Sequence, residues 1–297
     1  SAASDVYKRQ EIHLKMRKTI NCFIPYEENT AIDKVVTALK DSIVVNKIYL
    51  LTTAHGSMPS VPAGCEPFTI DSLNSSDTIK KIAQKADTPF TLLYTKASPF
   101  ELGYMALERI ADFLQDRKTG MVYADHYEWK EGEKKKHPAI DYQPGSVRDD
   151  FDFGALLAFR SEYLIGAAGM MENEREDYRY AGLYATRLFI AETGRIVHIN
   201  EYLYTEIEED NRLSGEKQFD YVNPRNREVQ IEMEQACTNH LKEIGGYLYP
   251  IFRPVDFSSH TFEYEASVII PVRNRIRTVK DLSLIHISEP TRLLSIS

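Results

Sequence analysis

The sequence has few cysteines, no long apolar run and no basic stripe. Its 297 residues include three cysteines, far apart and without a Cys-x-x-Cys pair, so neither a structural zinc site nor a disulfide framework is indicated. No apolar run approaches the roughly 20 residues that span a bilayer. The net charge of -8 argues against a nucleic-acid partner. We therefore expect a protein of a reducing, cytoplasmic compartment, with a place at the inner face of the membrane left open.

Both ends of the chain look foreign to the rest of it. The opening SAASDVYKRQ and the stretch LSLIHISEPTR near the other end can be encoded by an inverted repeat, which two unrelated termini have no reason to share. Both are similar to translated sequencing adapters. We expect residues 1–10 and 282–297 to be no part of the native protein and interpret residues 11–281 only.

Between these ends, short apolar segments alternate with amphipathic segments of helical spacing. This pattern implies right-handed crossovers and an α/β fold with a mostly parallel, doubly wound sheet that carries helices on both faces. Asp77 is predicted to cap a helix, a Glu-Gly turn is predicted near residue 132, and Gly194 and Gly245-Gly246 are predicted to end helices. Strands are predicted at 20–25, 47–52, 67–70, 89–94, 120–125 and 195–199, and later helices at 177–193 and after Pro224.

The pattern divides the chain into one complete domain and the beginning of another. Residues 17–246 form the complete domain. Residues 247–265 carry two prolines, several aromatics and no period, and are predicted to be a linker. Residues 266–281 read as a strand, a turn and the start of a helix. The chain is therefore expected to be cut from a longer tandem protein.

The segment ASVIIPVRNRIRTVKD at 266–281 resembles the opening of the family 2 glycosyltransferases. In that family a hydrophobic strand ends in Pro-x-x-Asn, here Pro271 and Asn274, and the loop that follows holds the base and ribose of the donor nucleotide. The complete domain resembles a divergent copy of the same family. Its matching segments are INCFIPYEENTAIDKVVTAL, MVYADHYEW and EREDYRYAGLYATRL, in the family's order and spacing. The resemblance implies a GT-A fold.

The resemblance also implies a donor site, and the strand ends point to the same place. In a doubly wound sheet, ligands bind outside the carboxyl ends of the strands, where polar residues follow several predicted strands. The plain alternative is that strand ends are polar because they meet solvent. The residues predicted to bind the donor are Pro25, Tyr26, Glu28, Asn29, Thr53, Lys96 and Asp125.

For catalysis, the resemblance points to Asp177 as the base of an inverting transfer, with Glu176 beside it. Two carboxylates at a helix start are also favoured by the helix dipole alone. On the acceptor side, Trp129 can stack on a sugar and Asp152 lies in an acidic loop. The sequence thus predicts transfer of a sugar from a nucleotide-sugar to a saccharide acceptor.

One departure from the family concerns the metal. The family usually holds Mg²⁺ or Mn²⁺ with an Asp-x-Asp after the strand that corresponds to 89–94. This chain has Thr95 and Lys96 there, so no metal ligand is assigned. Three interpretations stay open: Lys96 replaces the metal, Lys96 is a surface lysine, or the domain has lost transfer activity and binds or scaffolds for the active domain that follows. A nucleotidyltransferase or dinucleotide enzyme is disfavoured because the first loop lacks glycine.

Overall fold

A computed structural model describes residues 18–27, 32–53, 61–130, 132–173, 177–207, 227–254 and 258. The chain divides into two compact units, the first ending at Tyr247 and the second beginning at Leu248. In the second unit, 248–254 and Ser258 form neither helix nor strand. The predicted terminal segments 1–10 and 282–297 and the predicted second domain at 266–281 lie outside the described residues.

The first unit is built on one nine-stranded sheet. Its order is β3-β2-β1-β4-β8-β6-β9-β5, and β7 pairs with β6. Six strands run in one direction, while β5, β7 and β8 run against it. The strands are β1 (Ile20–Pro25), β2 (Val45–Thr53), β3 (Glu66–Ile70), β4 (Phe90–Tyr94), β5 (Phe100–Leu102), β6 (Thr119–Lys130), β7 (Glu133–His137), β8 (Leu156–Arg160) and β9 (Arg195–Ile207).

Helices cover both faces of this sheet. Side chains of β1 alternate between the faces: Cys22 and Ile24 enter one apolar layer with α1 and α3, and Phe23 enters the other with α2, α4 and α5. The predicted α/β fold, with a mostly parallel, doubly wound sheet and helices on both faces, is confirmed. The helices are α1 (Asp33–Asp41), α2 (Ser76–Gln84), α3 (Ala106–Phe113), α4 (Ser161–Asn173), α5 (Gly182–Thr193) and α6 (Arg227–Glu243).

Two helix starts differ from the sequence prediction. The predicted cap Asp77 lies inside the first turn of α2, and Ser75 caps the helix by accepting a hydrogen bond from the backbone N–H of Thr78 at 3.1 Å. The helix predicted from residue 177 begins at Gly182 instead. The residues before Gly182 stay outside the helix because the Tyr178 carbonyl accepts a hydrogen bond from the backbone N–H of Ser76 at 2.7 Å.

The predicted turns and stops are confirmed. Gly132 forms the β6–β7 turn with φ +78°, and Gly245 ends α6 with φ +70°, both in the left-handed region that favours glycine. Strands β6 and β9 run several residues beyond their predicted ends, pairing as far as Trp129 and Ile207. No helix in the described parts of the chain is long and apolar enough to cross a membrane.

Candidate functional site

The strand order creates a switch point between β1 and β4. The chain passes outward from β1 to β2 and β3, and then returns to place β4 on the other side of β1. In doubly wound sheets, ligands bind at such a point, outside the carboxyl ends of the strands. Pro25 and Tyr26 lie at the end of β1, and Thr95 and Lys96 follow β4. Four of the residues predicted from strand ends therefore lie on either side of this switch point, where a doubly wound sheet forms its ligand crevice.

Backbone hydrogen bonds hold both sides of this crevice. Tyr26 donates its N–H to the Leu51 carbonyl of β2 at 2.8 Å, and Thr95 donates to the Ala155 carbonyl at 2.8 Å. Thr53, the exposed last residue of β2, lies on the same edge of the sheet. The predicted donor residues Glu28 and Asn29 lie outside the described residues.

Lys96 forms an ion pair with Glu206. The Glu206 side chain is buried and also accepts a hydrogen bond from the Ala155 N–H at 3.0 Å, whereas 43% of the Lys96 side chain is exposed. Two phenols flank this carboxylate: burial first, and then the charge of Glu206, raise the pKa of Tyr94 and Tyr204. Both phenols stay protonated, and Tyr204 donates to Glu206 at 3.3 Å. The Lys96 ammonium group, which follows β4, is thus paired with the buried Glu206 carboxylate.

Asp125 is buried on β6 and binds protein groups. Its Oδ1 accepts a hydrogen bond from the Ala139 N–H at 2.8 Å and lies 2.9 Å from Nε2 of His198. Nδ1 of His198 lies 2.7 Å from Asp141, and its ring stacks on Tyr123 with the centroids 5.0 Å apart. Asp125 therefore anchors the segment that follows β7.

A second cluster lies on one face of the β6–β7 hairpin. His126 and Glu128 alternate along β6, and His137 pairs directly opposite His126 on β7. Burial lowers the pKa of His126, so its imidazole is neutral at pH 7. Partial burial acts to raise the pKa of Glu128, but the hydrogen bond and charge of Lys130 and the charge of His137 outweigh it and lower that pKa. The cluster therefore joins a neutral imidazole to an ionised carboxylate.

The opposite face of the hairpin carries aromatic rings and lysines. Tyr127 and Tyr202 pack with their ring centroids 4.7 Å apart, and the ammonium groups of Lys134 and Lys136 lie over them at 4.4 and 5.4 Å. Trp129, predicted to face the acceptor, is 45% exposed. Asp152, the other predicted acceptor residue, lies on the loop before β8 and contacts His137 rather than these rings.

The predicted base Asp177 is exposed, and Glu176 lies outside the described residues. Asp177 stands at the amino end of α2, because its neighbour Tyr178 donates its N–H to Ser76 Oγ at 3.1 Å. Glu206, His126 and His137 were missed by the sequence-based site prediction. The alternation His-x-Glu and the Glu-Gly turn were signals for the last two; no local pattern marks Glu206.

No family model and no curated protein matches the sequence. Solved structures resemble the protein in fold alone. Mannosyl-3-phosphoglycerate synthase from Rubrobacter xylanophilus has a TM-score of 0.42 at 12% identity over 82% of this chain and 79% of that chain. Glucosyl-3-phosphoglycerate synthase from Mycobacterium tuberculosis, in complex with uridine diphosphate, has a TM-score of 0.43 at 10% identity over 77% and 83%.

A third similar structure belongs to a different class of enzyme. It is 2-C-methyl-D-erythritol 4-phosphate cytidylyltransferase from Thermus thermophilus, with a TM-score of 0.35 at 10% identity over 63% of this chain and 89% of that chain. With TM-scores this low, none of these likenesses assigns a function to this chain.

Proposed function

We propose that the first unit binds a nucleotide-sugar at the β1–β4 switch point and transfers its sugar, with inversion, to a saccharide acceptor. The observation that carries this proposal is the convergence of Pro25, Tyr26, Thr95 and Lys96 on one crevice at the carboxyl ends of parallel strands. The resemblance of the chain's motifs to family 2 glycosyltransferases supports the same site.

Each group then has a role in the transfer. Asp177 takes the proton of the acceptor hydroxyl while that oxygen forms a bond to the anomeric carbon. The bond from the anomeric carbon to the diphosphate breaks, and its electron pair leaves with the nucleotide diphosphate. Glu176 stands beside the base, and Trp129 and Asp152 face the acceptor. The donor is held by Pro25, Tyr26, Glu28, Asn29, Thr53 and Asp125, with Lys96 nearest the diphosphate.

The family's carboxylate-bound Mg²⁺ or Mn²⁺ does not fit the residues after β4. Hard cations take carboxylate oxygens, and this segment offers an ammonium group that is already paired with Glu206. Lys96 then supplies a positive charge near the leaving diphosphate. We derive no step through a metal at this position.

The decisive measurement is release of free nucleotide from UDP-glucose and GDP-mannose by the full chain, together with calorimetric binding of both. Asp177→Asn should lower release by about 100-fold or more and leave nucleotide affinity unchanged, because a general base contributes at least that factor. Asp71→Asn is the matched control, since Asp71 is another exposed carboxylate at a strand end. Failure to bind either nucleotide-sugar would contradict the proposal.

The Lys96–Glu206 pair also favours a second candidate: a unit that binds the nucleotide-sugar without transferring it and scaffolds for a following glycosyltransferase domain that begins at residues 266–281. An ammonium neutralised by a buried carboxylate offers less charge to a leaving diphosphate than a metal does. Binding of UDP-glucose without nucleotide release, unchanged by Asp177→Asn, would identify this candidate.

A further inference from the structure

Three potential metal ligands share one face of the β6–β7 hairpin. His126 and Glu128 are two residues apart on β6, and His137 is the cross-strand partner of His126. The two imidazole rings stack with their centroids 4.4 Å apart. One ligand atom from each of the three residues lies within 4.8 Å of those of the other two. The hairpin register alone brings these groups together, and the proposed sugar transfer uses none of them.

Nε2 of each imidazole already faces a carboxylate. Nε2 of His137 lies 2.8 Å from Asp152 Oδ2, and Nε2 of His126 lies 3.4 Å from Glu206 Oε1. Metal-bound histidines usually present their other nitrogen to such a carboxylate, which fixes the tautomer and orients the ring. Both rings of this pair therefore have the carboxylate neighbour that metal-bound histidines have, which makes Nδ1 of each the atom available to bind a metal.

Of these two Nδ1 atoms, the one on His137 faces a carboxylate, whereas the one on His126 has no partner among the described residues. His126 is 2% exposed, and its Nδ1 has no hydrogen-bond partner among the described residues. Nδ1 of His137 lies 3.2 Å from Glu128 Oε1. A buried polar atom without a partner costs free energy, so an orphan nitrogen beside a second imidazole and a carboxylate calls for a ligand. A cation bound there would give this nitrogen a partner, with the His137 imidazole and the Glu128 carboxylate, which also pairs with Lys130 at 2.7 Å, as its other ligands.

Gly154 has no side chain to fill the space beside Nδ1 of His126. A Cβ on this residue would lie 3.1 Å from Nδ1 of His126 and 2.3 Å from the Tyr204 hydroxyl, and the residue's φ is +70°. Its N–H donates to Asp152 Oδ1 at 2.9 Å, which ties the loop to the carboxylate behind His137. The loop before β8 is thus shaped around the two imidazoles.

We propose that His126, Glu128 and His137 bind one divalent transition-metal ion of the Zn²⁺ class. Two imidazoles and one carboxylate suit Zn²⁺ and its neighbours, whereas Mg²⁺ and Ca²⁺ take oxygen ligands. Three protein ligands leave a coordination position for water or a substrate atom. None of the three ligands belongs to the segment after β4, although Glu206 contacts both Lys96 and His126. The proposal does not depend on sugar transfer.

The test uses the full chain, freed of metal by a chelator and titrated with Zn²⁺ against a chromogenic competitor. One Zn²⁺ should bind per chain, excess Mg²⁺ should not displace it, and Co²⁺ should give the visible absorption of a low-coordinate nitrogen–oxygen site. His137→Asn and Glu128→Gln each remove a ligand and should abolish this site. Asp152→Asn should weaken it by about 10- to 100-fold, as loss of an outer carboxylate does.

The variants avoid the fully buried His126, whose replacement can unfold the protein. His240→Asn is the matched control, because His240 is a shielded imidazole near a carboxylate, Glu192 at 3.9 Å, outside the hairpin. It should keep wild-type Zn²⁺ affinity. Zn²⁺ should also raise the melting temperature of the wild type and of His240→Asn, but not that of His137→Asn. Equal Zn²⁺ affinity in His137→Asn and His240→Asn, or no stoichiometric binding in the wild type, would overturn the proposal.

Discussion

Glu206 is the residue whose burial organises its neighbours. It lies on β9 among Lys96, the Ala155 N–H and the Tyr204 hydroxyl, which together supply the charge and hydrogen bonds that a buried carboxylate needs. His126 is a further neighbour at 3.4 Å. Lys96 is therefore more than a solvated surface lysine, because its removal would leave Glu206 without its cation.

A first prediction concerns this pair. Lys96→Met should lower the free energy of unfolding by about 1–3 kcal/mol, because it leaves a buried carboxylate partly uncompensated. Glu206→Gln in the same chain removes that charge and should restore part of the loss. Urea unfolding of the wild type, both single variants and the double variant measures the coupling. Additive effects of the two changes would show that the pair contributes nothing of its own.

The same pair shows what could be predicted from the sequence at this scale. Lys96 could be predicted as a site residue because it stands where a carboxylate was expected after a strand. Its partner lies 110 positions further along the chain, and only the pairing of β9 with β6 and β5 brings it to the crevice. Local patterns identify residues at strand ends; contacts between distant strands depend on register, which the sequence pattern did not specify.

Among the structural elements, the segment between β7 and β8 depends on one arginine of α5. The buried Arg187 donates to the carbonyls of Ser146, at 2.7 Å, and of Arg148. Its guanidinium also lies 4.8 Å from the ring of Tyr184. This guanidinium therefore binds backbone carbonyls, the Tyr142 hydroxyl at 3.4 Å and aromatic faces. The segment that carries Asp152 to the hairpin is thereby fastened to α5.

Arg187→Met should loosen this segment while keeping the apolar stem of the side chain. We expect faster amide hydrogen exchange and faster tryptic cleavage at Arg148, with little change in the exchange of β1 and β4. Arg195→Met is the control, since 63% of the Arg195 side chain is exposed. Protection of 142–150 that matches the wild type would contradict this role of Arg187.

Elements with strong local signals were predicted well, and those set by tertiary contacts were not. Gly132 and Gly194 were recognisable as a turn and a helix end. The start of α5 was placed too early because Tyr178 bonds to Ser76, and Gly182 packs so closely on α2 that a Cβ would lie 2.4 Å from the Ser76 nitrogen. That approach between two helices has no signature in the local spacing of apolar residues.

For the molecule as a whole, the apolar layers can be followed through the described residues. Their buried members there run from Ile20 to Ala236, and none of those described belongs to the unit that begins at Leu248. Helix α6 contributes apolar contacts to the first unit and also hydrogen bonds to the start of α5. Glu232 Oε2 accepts hydrogen bonds from the N–H groups of Tyr180 and Ala181 at 2.6 and 3.2 Å, which satisfies the start of α5.

A chain ending at Tyr247 should therefore keep the urea midpoint and the cooperativity of the full chain. A chain ending at residue 226 should lose several kcal/mol of unfolding free energy, since it lacks both the Glu232 cap and the buried face of α6. Circular dichroism in urea measures both chains. A midpoint shift on removing 248–297 would mean that the second unit stabilises the first, and nucleotide binding would then have to be tested in the longer chain only.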